Sequence, residues 1–316
     1  MKKKVLIVGG TGQLGFFLCK NLNNKKIFVT TRNIKKRKNL KFKKDLKKNV
    51  SFIQLNVLDK SNIFKTLKTV DPSIIFYLAG QSVVSKSYKQ KRLTLDSNYL
   101  GCLNFLEILK RNNFSTKFIN FSSAEIFKQT KKKINIDSSK FPVSPYGFAK
   151  YKSFKLIQLY RKKYKLKTYN AVLFNAESTR RPDYFLIPKI CDAAIKTYNS
   201  KGKINKKFSF GNINIVRDWG WANEYMRAIV KYIKLSPRDF IIATGKSYSI
   251  KELINYAFGY FGFDFKKYII VNKKLFRRNE VLYKYSDISK LKKEIKYVPT
   301  TTGLSIIKKI ILSKLS

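Results

Sequence analysis

Residues 4–15 read KVLIVGGTGQLG, and this stretch decides the fold. The apolar run at residues 4–8 predicts a short buried strand, and glycines follow it at once. Residues 11–22 then carry apolar side chains at helical spacing. A strand, a glycine-rich turn and a helix in this order are typical of dinucleotide-binding folds, because the glycines let a pyrophosphate approach the backbone at the helix N-terminus. We expect this turn to contact the cofactor through Gly9, Thr11, Gly12, Gln13, Leu14 and Gly15.

Strands and helices continue to alternate along the first half of the chain. The pattern predicts strands at residues 26–30, 51–55, 73–78, 117–121 and 168–174, and helices at residues 61–68 and 95–109. Such βαβ units predict an α/β fold, a Rossmann-like doubly wound parallel sheet. The regularity weakens after about residue 170. We therefore predict a cofactor-binding domain over residues 1–170, which the strand at 168–174 joins, and a smaller mixed α/β substrate-binding lobe over residues 171–316.

The composition excludes several kinds of chemistry. The 316 residues include no histidine, which removes Ser-His-Asp triads, histidine acid–base catalysis and His-ligated metal sites. The three cysteines lie far apart, with no CxxC spacing, so they predict neither a metal site nor a redox pair. We expect no metal. Sparse cysteines, no signal peptide and no apolar run long enough to cross a bilayer predict a cytoplasmic protein without a membrane partner.

The charge is strongly positive, with 68 Lys and Arg against 18 Asp and Glu, a net charge of +50. A basic protein can bind nucleic acid, and the densest basic stretch runs from Lys35 to Lys48. The basic clusters are scattered along the whole chain, however. We attribute them to a compositional bias toward lysine and do not expect nucleic-acid binding, although a phosphate-binding surface stays an alternative.

The end of the second predicted strand bears on the choice of cofactor. An acidic residue there would bind the ribose 2′-hydroxyl of NAD. This chain has Thr30-Thr31-Arg32 instead, and the next acidic residue is Asp45. Because the Arg32 guanidinium suits a 2′-phosphate, the sequence favours NADP. A solvated surface arginine is the alternative.

Two further motifs supply candidate catalytic groups. Tyr146 and Lys150 are spaced i and i+4, which places them on one face of a helix. A nearby ammonium favours the phenolate, so Tyr146 can act as a base at neutral pH. Ser123 and Glu125 follow the fifth predicted strand, at the sheet edge where α/β folds bind ligands. A turn in which the serine merely caps the next element is the alternative.

These motifs resemble the extended short-chain dehydrogenase/reductase superfamily and, within its nucleotide-sugar branch, most closely the GDP-mannose 4,6-dehydratase family. The similarity covers nearly the whole chain. Beyond the glycine turn and YxxxK, it runs through the segments YLAGQS (77–82), FNAESTRRPDYFLIPKI (174–190), RDWG (217–220), IIATG (241–245), FRRNEV (276–281) and DISK (287–290).

The resemblance implies a role for each matching residue. Ser123 and Glu125 match the Thr-x-Glu of the family, Tyr146 its base, and Lys150 the partner of that base and a ribose contact. Further implied cofactor contacts are Asn56, Val57, Leu78, Ala79 and Arg181. Implied substrate contacts are Ser82, Asn175, Glu177, Lys189, Arg217, Arg277 and Glu280. The chain departs from the family pattern at Ala176, where a histidine is usual, at Asn56, where an acid is usual, and at Lys128, where a glycine is usual.

The resemblance also implies a reaction and a partner. GDP-mannose would be converted to GDP-4-keto-6-deoxymannose through NADP, with loss of water, by a homo-oligomer. Two alternatives stay open. One is an NADP-dependent nucleotide-sugar reductase or epimerase of the same fold, which does not need Glu125. The other is a redox-inactive relative that binds nucleotide or nucleic acid.

Overall fold

A computed structural model describes residues 3–22, 24–35, 42, 45–46, 49–277 and 279–316. Most of the basic stretch from Lys35 to Lys48 lies outside the described residues. Among those described, no helix combines the length and the apolar character that a membrane crossing requires.

Strands are distributed over the whole described chain. Their bounds are β1 Lys4–Val8, β2 Lys26–Thr31, β3 Val50–Gln54, β4 Ile74–Tyr77, β5 Lys117–Ser123, β6 Lys133–Ile134, β7 Thr168–Leu173, β8 Asn175–Glu177, β9 Phe208–Phe210, β10 Val216–Trp221, β11 Asp239–Ile242, β12 Ser247–Ser249, β13 Ile269–Val271 and β14 Tyr285–Ser286.

Helices connect most of these strands. The described α-helices are α1 Gln13–Asn21, α2 Lys60–Val70, α3 Val84–Lys89, α4 Lys91–Leu95, α5 Gly101–Arg111, α6 Pro145–Tyr164, α7 Leu186–Asn199, α8 Ala222–Tyr232, α9 Ile250–Gly259, α10 Ser289–Ile295 and α11 Gly303–Leu315. A π-helical turn, Asp96–Leu100, joins α4 to α5, so the helix predicted at residues 95–109 is longer and locally widened.

The main sheet has seven strands in the order β11-β7-β5-β4-β1-β2-β3, and all of them are parallel. This confirms the predicted Rossmann-like doubly wound sheet. The strand order reverses at β1, and ligands of such sheets bind at the strand ends beside that reversal. The seventh strand, β11, is an addition that the sequence pattern did not predict.

The chain forms two compact units that interleave along the sequence. The first comprises Met1–Lys128, Ile136–Leu173 and Met226–Ile242, and it contains the main sheet. The second comprises Gln129–Asn135, Phe174–Tyr225 and Ala243–Ser316. The functional domains predicted at 1–170 and 171–316 stay a prediction.

Burial explains the strands of the first unit. Residues 5–8 of β1 and all of β4 and β7 are buried, as expected of parallel strands that are covered on both faces. A core cluster that includes Leu6, Phe105 and Ile157 joins the sheet to its helices. The apolar runs that predicted these strands are therefore the residues that hold the layers together.

The second unit combines a three-stranded sheet, β12-β10-β8, with two parallel strand pairs, β13-β9 and β14-β6. Its β10 carries Asp218, which is fully buried. The carboxylate accepts hydrogen bonds from the Thr244 hydroxyl (2.8 Å), the Gly245 amide (2.8 Å) and the Ser286 hydroxyl (2.5 Å). Burial raises the pKa of Asp218 although these donors stabilise its charge. Asp218 thus links β10 to two separate segments of this unit.

Candidate active site

The glycine turn after β1 is tightly fitted at its first residue. Gly9 has a φ of 70°, and a Cβ there would lie 2.6 Å from the Ala79 Cα, so only glycine fits. The Gly9 amide donates to Thr30 Oγ1 at 3.1 Å. This contact ties the turn after β1 to the end of β2.

Gly12 differs from the other glycines of the turn. It is the N-cap residue of α1, and no side-chain hydrogen bond caps the helix there. A Cβ at Gly15 would collide with the Gly10 carbonyl, whereas a Cβ at Gly12 would meet nothing within 4 Å. Packing therefore does not explain the glycine at position 12. The open space at Gly12 leaves room for an anion to approach the N-terminus of α1.

A cavity of about 670 Å³ opens beside this turn, at the ends of β1 to β4. The residues predicted to bind the cofactor that line it are Gly9, Thr11, Arg32, Asn56, Val57, Leu78 and Ala79. Gly12, Gln13, Leu14 and Gly15 belong to the adjoining N-terminus of α1, and Gln13 and Gly15 are buried there. Lys150 does not line the cavity, and Arg181 belongs to the second unit.

The cavity also includes residues that the sequence analysis missed. They are Thr30, Thr31, Asn33, Leu55, Leu58, Gly80, Gln81, Leu93, Asp96 and Ser97. Most follow directly from the fold, because they sit at the carboxyl ends of strands that flank β1. Leu93, Asp96 and Ser97 come from α4 and the π-helical turn, and no motif in the sequence indicated that this segment reaches the cavity.

Ser123 and Glu125 lie where the sequence placed them, at the carboxyl end of β5. Ser123 is the last residue of the strand, and residues 124–126 form one turn of 3₁₀ helix. The Ser123 hydroxyl oxygen accepts from the Glu125 amide at 3.2 Å. Ser123 thus has the capping role that was considered as the alternative. Because its oxygen only accepts in this contact, its hydroxyl hydrogen can still be donated to another group.

Helix α6 begins directly beside that turn. Ser144 caps it by accepting from the Gly147 amide at 3.0 Å, and Pro145 occupies the first helical position. The buried Ser87 hydroxyl accepts from the Tyr146 amide at 3.2 Å. A Cβ at Gly147 would lie only 2.6 Å from the Glu125 carbonyl oxygen, so the absence of a side chain lets α6 approach the Glu125 turn.

Lys150 completes this group from the next turn of α6. It is buried, and its ammonium donates to the Phe121 carbonyl of β5 at 2.7 Å. The ammonium lies 5.8 Å from the centre of the Tyr146 ring. Burial lowers the pKa of Lys150 from 10.5 to about 8, an effect that nearby Cys102 partly opposes. The structure therefore brings all four predicted catalytic residues together at the end of β5.

Glu177 and Arg181, predicted as contacts to substrate and cofactor, pair with each other inside the second unit. Arg181 Nε lies 3.4 Å from Glu177 Oε2, and its guanidinium stacks 3.5 Å from the Phe185 ring centre. Burial raises the pKa of Glu177 to about 7, and Arg181 partly opposes this rise.

Arg217 is also occupied by protein groups. It is buried and donates to the main-chain carbonyls of Val216 (2.8 Å), Val281 (2.7 Å) and Leu282 (3.2 Å). The Lys189 ammonium donates to the Ser209 carbonyl at 2.6 Å. The remaining predicted substrate contacts are Asn175 in β8, Glu280 beside the segment held by Arg217, and the exposed residues Ser82 and Arg277.

The parallel sheet, the glycine turn at its reversal and the Ser, Tyr and Lys group define an extended short-chain dehydrogenase/reductase. The family model described as GDP-mannose 4,6 dehydratase matches residues 6–310. The chain belongs to this family. It is 32% identical to GDP-mannose 4,6-dehydratase of Vibrio cholerae over 81% of this chain and 72% of that protein, and 30% identical to GDP-mannose 4,6 dehydratase 1 of Arabidopsis thaliana over 80% and 71%.

A solved structure shares the fold. UDP-glucuronic acid 4-epimerase of Bacillus cereus, determined with UDP-glucuronic acid and NAD, superimposes with a TM-score of 0.85. The match covers 99% of this chain and all of the epimerase at 20% identity. The predicted fold and the predicted family are therefore both confirmed.

Replacing Gly12 by alanine tests whether the turn binds the predicted dinucleotide. We expect Gly12→Ala to weaken NADP⁺ binding at least about tenfold, because the methyl group takes space at the α1 N-terminus that the pyrophosphate needs. The melting temperature should not fall, since no protein atom lies near the new Cβ. Gly259→Ala is the matched control, because its Cβ also meets nothing within 4 Å. Unchanged NADP⁺ affinity in Gly12→Ala would contradict this assignment.

The buried ammonium of Lys150 predicts a pH dependence of stability. The folded-state pKa of about 8 lies below 10.5, so the unfolded chain binds more protons and stability rises between about pH 8 and 10.5. At pH 7 and without cofactor, we expect Lys150→Met to raise the free energy of unfolding by about 3 kcal/mol. That gain should vanish by about pH 10.5. Lys152→Met, exposed on the same helix, is the control. A gain that is constant from pH 7 to 10.5 would refute the shift.

Proposed function

We propose that the protein is a GDP-mannose 4,6-dehydratase that uses NADP. The observation that carries this proposal is the grouping of Ser123, Glu125, Tyr146 and Lys150 at the end of β5, in a chain of that family. An alcohol oxidation needs the hydroxyl, the phenol and the ammonium. A carboxylate beside them adds the capacity to remove and return a second proton.

The residues of the first unit fit a nicotinamide dinucleotide. The open space at Gly12 and the N-terminus of α1 suit the pyrophosphate. Strands β2 and β3 lie on one side of β1, and β4 and β5 lie on the other. We propose that the adenosine half lies toward β2 and β3 and the nicotinamide half toward β4 and β5. Arg32, which lines the cavity at the end of β2, favours a 2′-phosphate, although the Bacillus cereus epimerase holds NAD.

When bound, the nicotinamide would accept a hydride from C4 of the sugar and return one to C6. Tyr146 removes the proton of the 4-hydroxyl, and the Lys150 ammonium 5.8 Å from its ring favours the phenolate. Glu125 takes the C5 proton, which the 4-keto group makes acidic, and passes a proton to the departing C6 hydroxyl, which leaves as water. Tyr146 then supplies the proton that C5 lacks. The products are GDP-4-keto-6-deoxymannose and water.

Glu125 separates this reaction from a reduction or an epimerisation on the same fold. Those reactions need only the Ser, Tyr and Lys group, whereas elimination needs a group that handles the protons of C5 and of the C6 hydroxyl. The Ser123–Glu125 turn and the missing side chain of Gly147 hold the backbone of Glu125 against the helix that carries Tyr146. This placement favours the dehydratase over the alternatives.

The second unit supplies the residues for which we propose substrate roles. The exposed Arg277 can pair with a diphosphate, because a guanidinium offers forked donors. Arg217 acts differently. It holds the backbone of residues 281–282, so we propose that it positions Glu280 rather than contacting the phosphates itself. A cytoplasmic location stays a prediction from the sequence.

The substitution Glu125→Gln tests the elimination step. With GDP-mannose and catalytic NADP⁺, the wild-type protein should form a product lighter by one water, without consuming NADPH. We expect Glu125→Gln to lower dehydration at least about a thousandfold, while NADP⁺ affinity stays within twofold. Glu107→Gln, a partly exposed position on α5, should retain full activity. Undiminished turnover in Glu125→Gln would remove this carboxylate from the mechanism, and salt-sensitive RNA binding with no turnover in the wild type would favour the redox-inactive alternative.

We also propose that the protein is a homo-oligomer that pairs through α6. A groove of about 1170 Å³ runs along this helix. Phe148 and Leu159, which line it, are 49% and 48% exposed and lie three turns apart on one helix face. Such a stripe can pack against its own copy across a two-fold axis. Four lysines also line the groove, namely Lys152, Lys155, Lys162 and Lys163.

Light scattering after gel filtration tests this arrangement. Because two copies would bring the same lysines together, we expect the dimer to tighten when salt screens their repulsion. We expect Leu159→Gln to weaken the dimer at least about tenfold. Leu312→Gln is the matched control, because Leu312 is also 48% exposed but lies in the second unit. A monomer at every salt concentration, or a dimer that Leu159→Gln leaves intact, would contradict the proposal.

A further inference from the structure

The amide of Tyr146 is bound by a residue to which the function proposed above gives no role. In the first turn of α6, Pro145 carries no amide hydrogen, and Gly147 donates to the N-cap of its own helix, Ser144. The Tyr146 amide instead donates outside the helix, to the hydroxyl of Ser87 on α3. This hydrogen bond therefore fixes α6 to another element at the residue that carries the phenol.

A second hydrogen bond of the same hydroxyl sets the direction of the first. The Ser87 hydroxyl donates its only hydrogen to the Val84 carbonyl of α3 at 2.6 Å. It therefore accepts from the Tyr146 amide, which lies 3.2 Å away. Both Ser87 and Tyr146 are buried, so water has little access to this amide. A buried amide that loses its acceptor costs free energy, which gives the Ser87 hydroxyl a firm hold on the backbone of Tyr146.

Helix α3 is itself fixed to the wall of the cavity beside the glycine turn. Gln81 lines that cavity, and its main-chain carbonyl accepts from the Asn98 side chain at 3.1 Å. The Gln81 side chain bonds both the amide (2.7 Å) and the carbonyl (2.8 Å) of Val83, the N-cap of α3. Near the other end of α3, the Tyr88 hydroxyl donates to the Val143 carbonyl at 3.3 Å. The helix thus joins the cavity wall to the segment in which α6 begins.

The Glu125 turn limits the position of the same part of α6. A Cβ at Gly147 would lie 2.6 Å from the Glu125 carbonyl oxygen, so the backbone of α6 has little room to move closer to that turn. The neighbouring residue, Tyr146, is anchored to α3 through Ser87. Two separate elements thus fix the start of α6. Such placement matters for a base, because a shift of about 1 Å in a reacting group can lower a rate about a hundredfold.

We propose that Ser87 is a positioning residue for Tyr146. Through the amide of Tyr146, it sets where the phenol lies relative to the Lys150 ammonium and to the sugar 4-hydroxyl. Ser87 does not contact the reacting atoms itself, so its effect is confined to the step in which Tyr146 removes the hydroxyl proton. This proposal rests on the proposed function, which makes Tyr146 the base.

Steady-state kinetics of Ser87→Ala with GDP-mannose and NADP⁺, on the full chain, test this role. We expect kcat to fall about ten- to hundredfold, because Tyr146 can then leave its productive position. The KM for GDP-mannose and the affinity for NADP⁺ should stay within about twofold of the wild type, since the cavity wall keeps its own hydrogen bonds. With GDP-mannose deuterated at C4, the isotope effect on kcat should rise, because loss of hydride from C4 becomes slower.

Ser153→Ala is the matched control. Ser153 is also fully buried, and its hydroxyl donates to the carbonyl three residues earlier, at 3.0 Å, as the Ser87 hydroxyl does in α3. The control therefore removes the same hydroxyl and the same kind of bond within a helix, but it leaves the anchor of Tyr146 intact. Its kcat and its isotope effect should match those of the wild type.

The possible results separate this inference from the proposed function. An unchanged kcat in Ser87→Ala, or an equal fall in Ser153→Ala, would overturn the inference, while turnover by the wild type would uphold the proposed function. A Ser87→Ala protein that no longer binds NADP⁺ would show that Ser87 supports the fold in general, which would also overturn the inference. A wild type that forms no product would overturn both.

Discussion

The reversal of strand order at β1 is the constraint on which the site depends. Because β2 and β4 pair with opposite edges of β1 and both run parallel to it, their connections leave in opposite directions. The gap between those connections is where the glycine turn lies and where the cavity opens. Gly9 can occupy that gap only without a side chain, since Ala79 after β4 stands 2.6 Å from where its Cβ would be. The reversal of strand order at β1 therefore requires a residue without a side chain at position 9.

The group of residues at the end of β5 adds an electrostatic constraint to this geometry. Lys150 is buried, and its ammonium bonds to the Phe121 carbonyl. Burial removes water from around the protonated ammonium, which lowers the pKa of Lys150 to about 8. A phenolate on Tyr146 would be the missing counter-charge. The cost of burying this charge is therefore a property of the fold that the proposed partnership with Tyr146 would put to use.

The sequence predicted those parts of the molecule that local patterns determine. Apolar runs located six of the seven main-sheet strands, and strand–turn–helix order located the glycine turn after β1. β11 escaped prediction because its four residues lie in the irregular second half and are recruited only by pairing with β7. Asp96 and Ser97 escaped prediction because they reach the cavity from a π-helical turn, which no residue pattern indicates. Long-range pairing and helix irregularities depend on the assembled fold.

The cavity also bears on the unusual charge of the chain. Lysine and arginine make up 68 of the 316 residues, yet Arg32 is the one basic residue among the seventeen described residues that line the cavity. If the charge had been selected to attract an anionic ligand to this site, lysines would gather around it. They accumulate instead along exposed surfaces such as the groove of α6. A bias that spares the cavity but fills exposed positions is best explained as compositional drift.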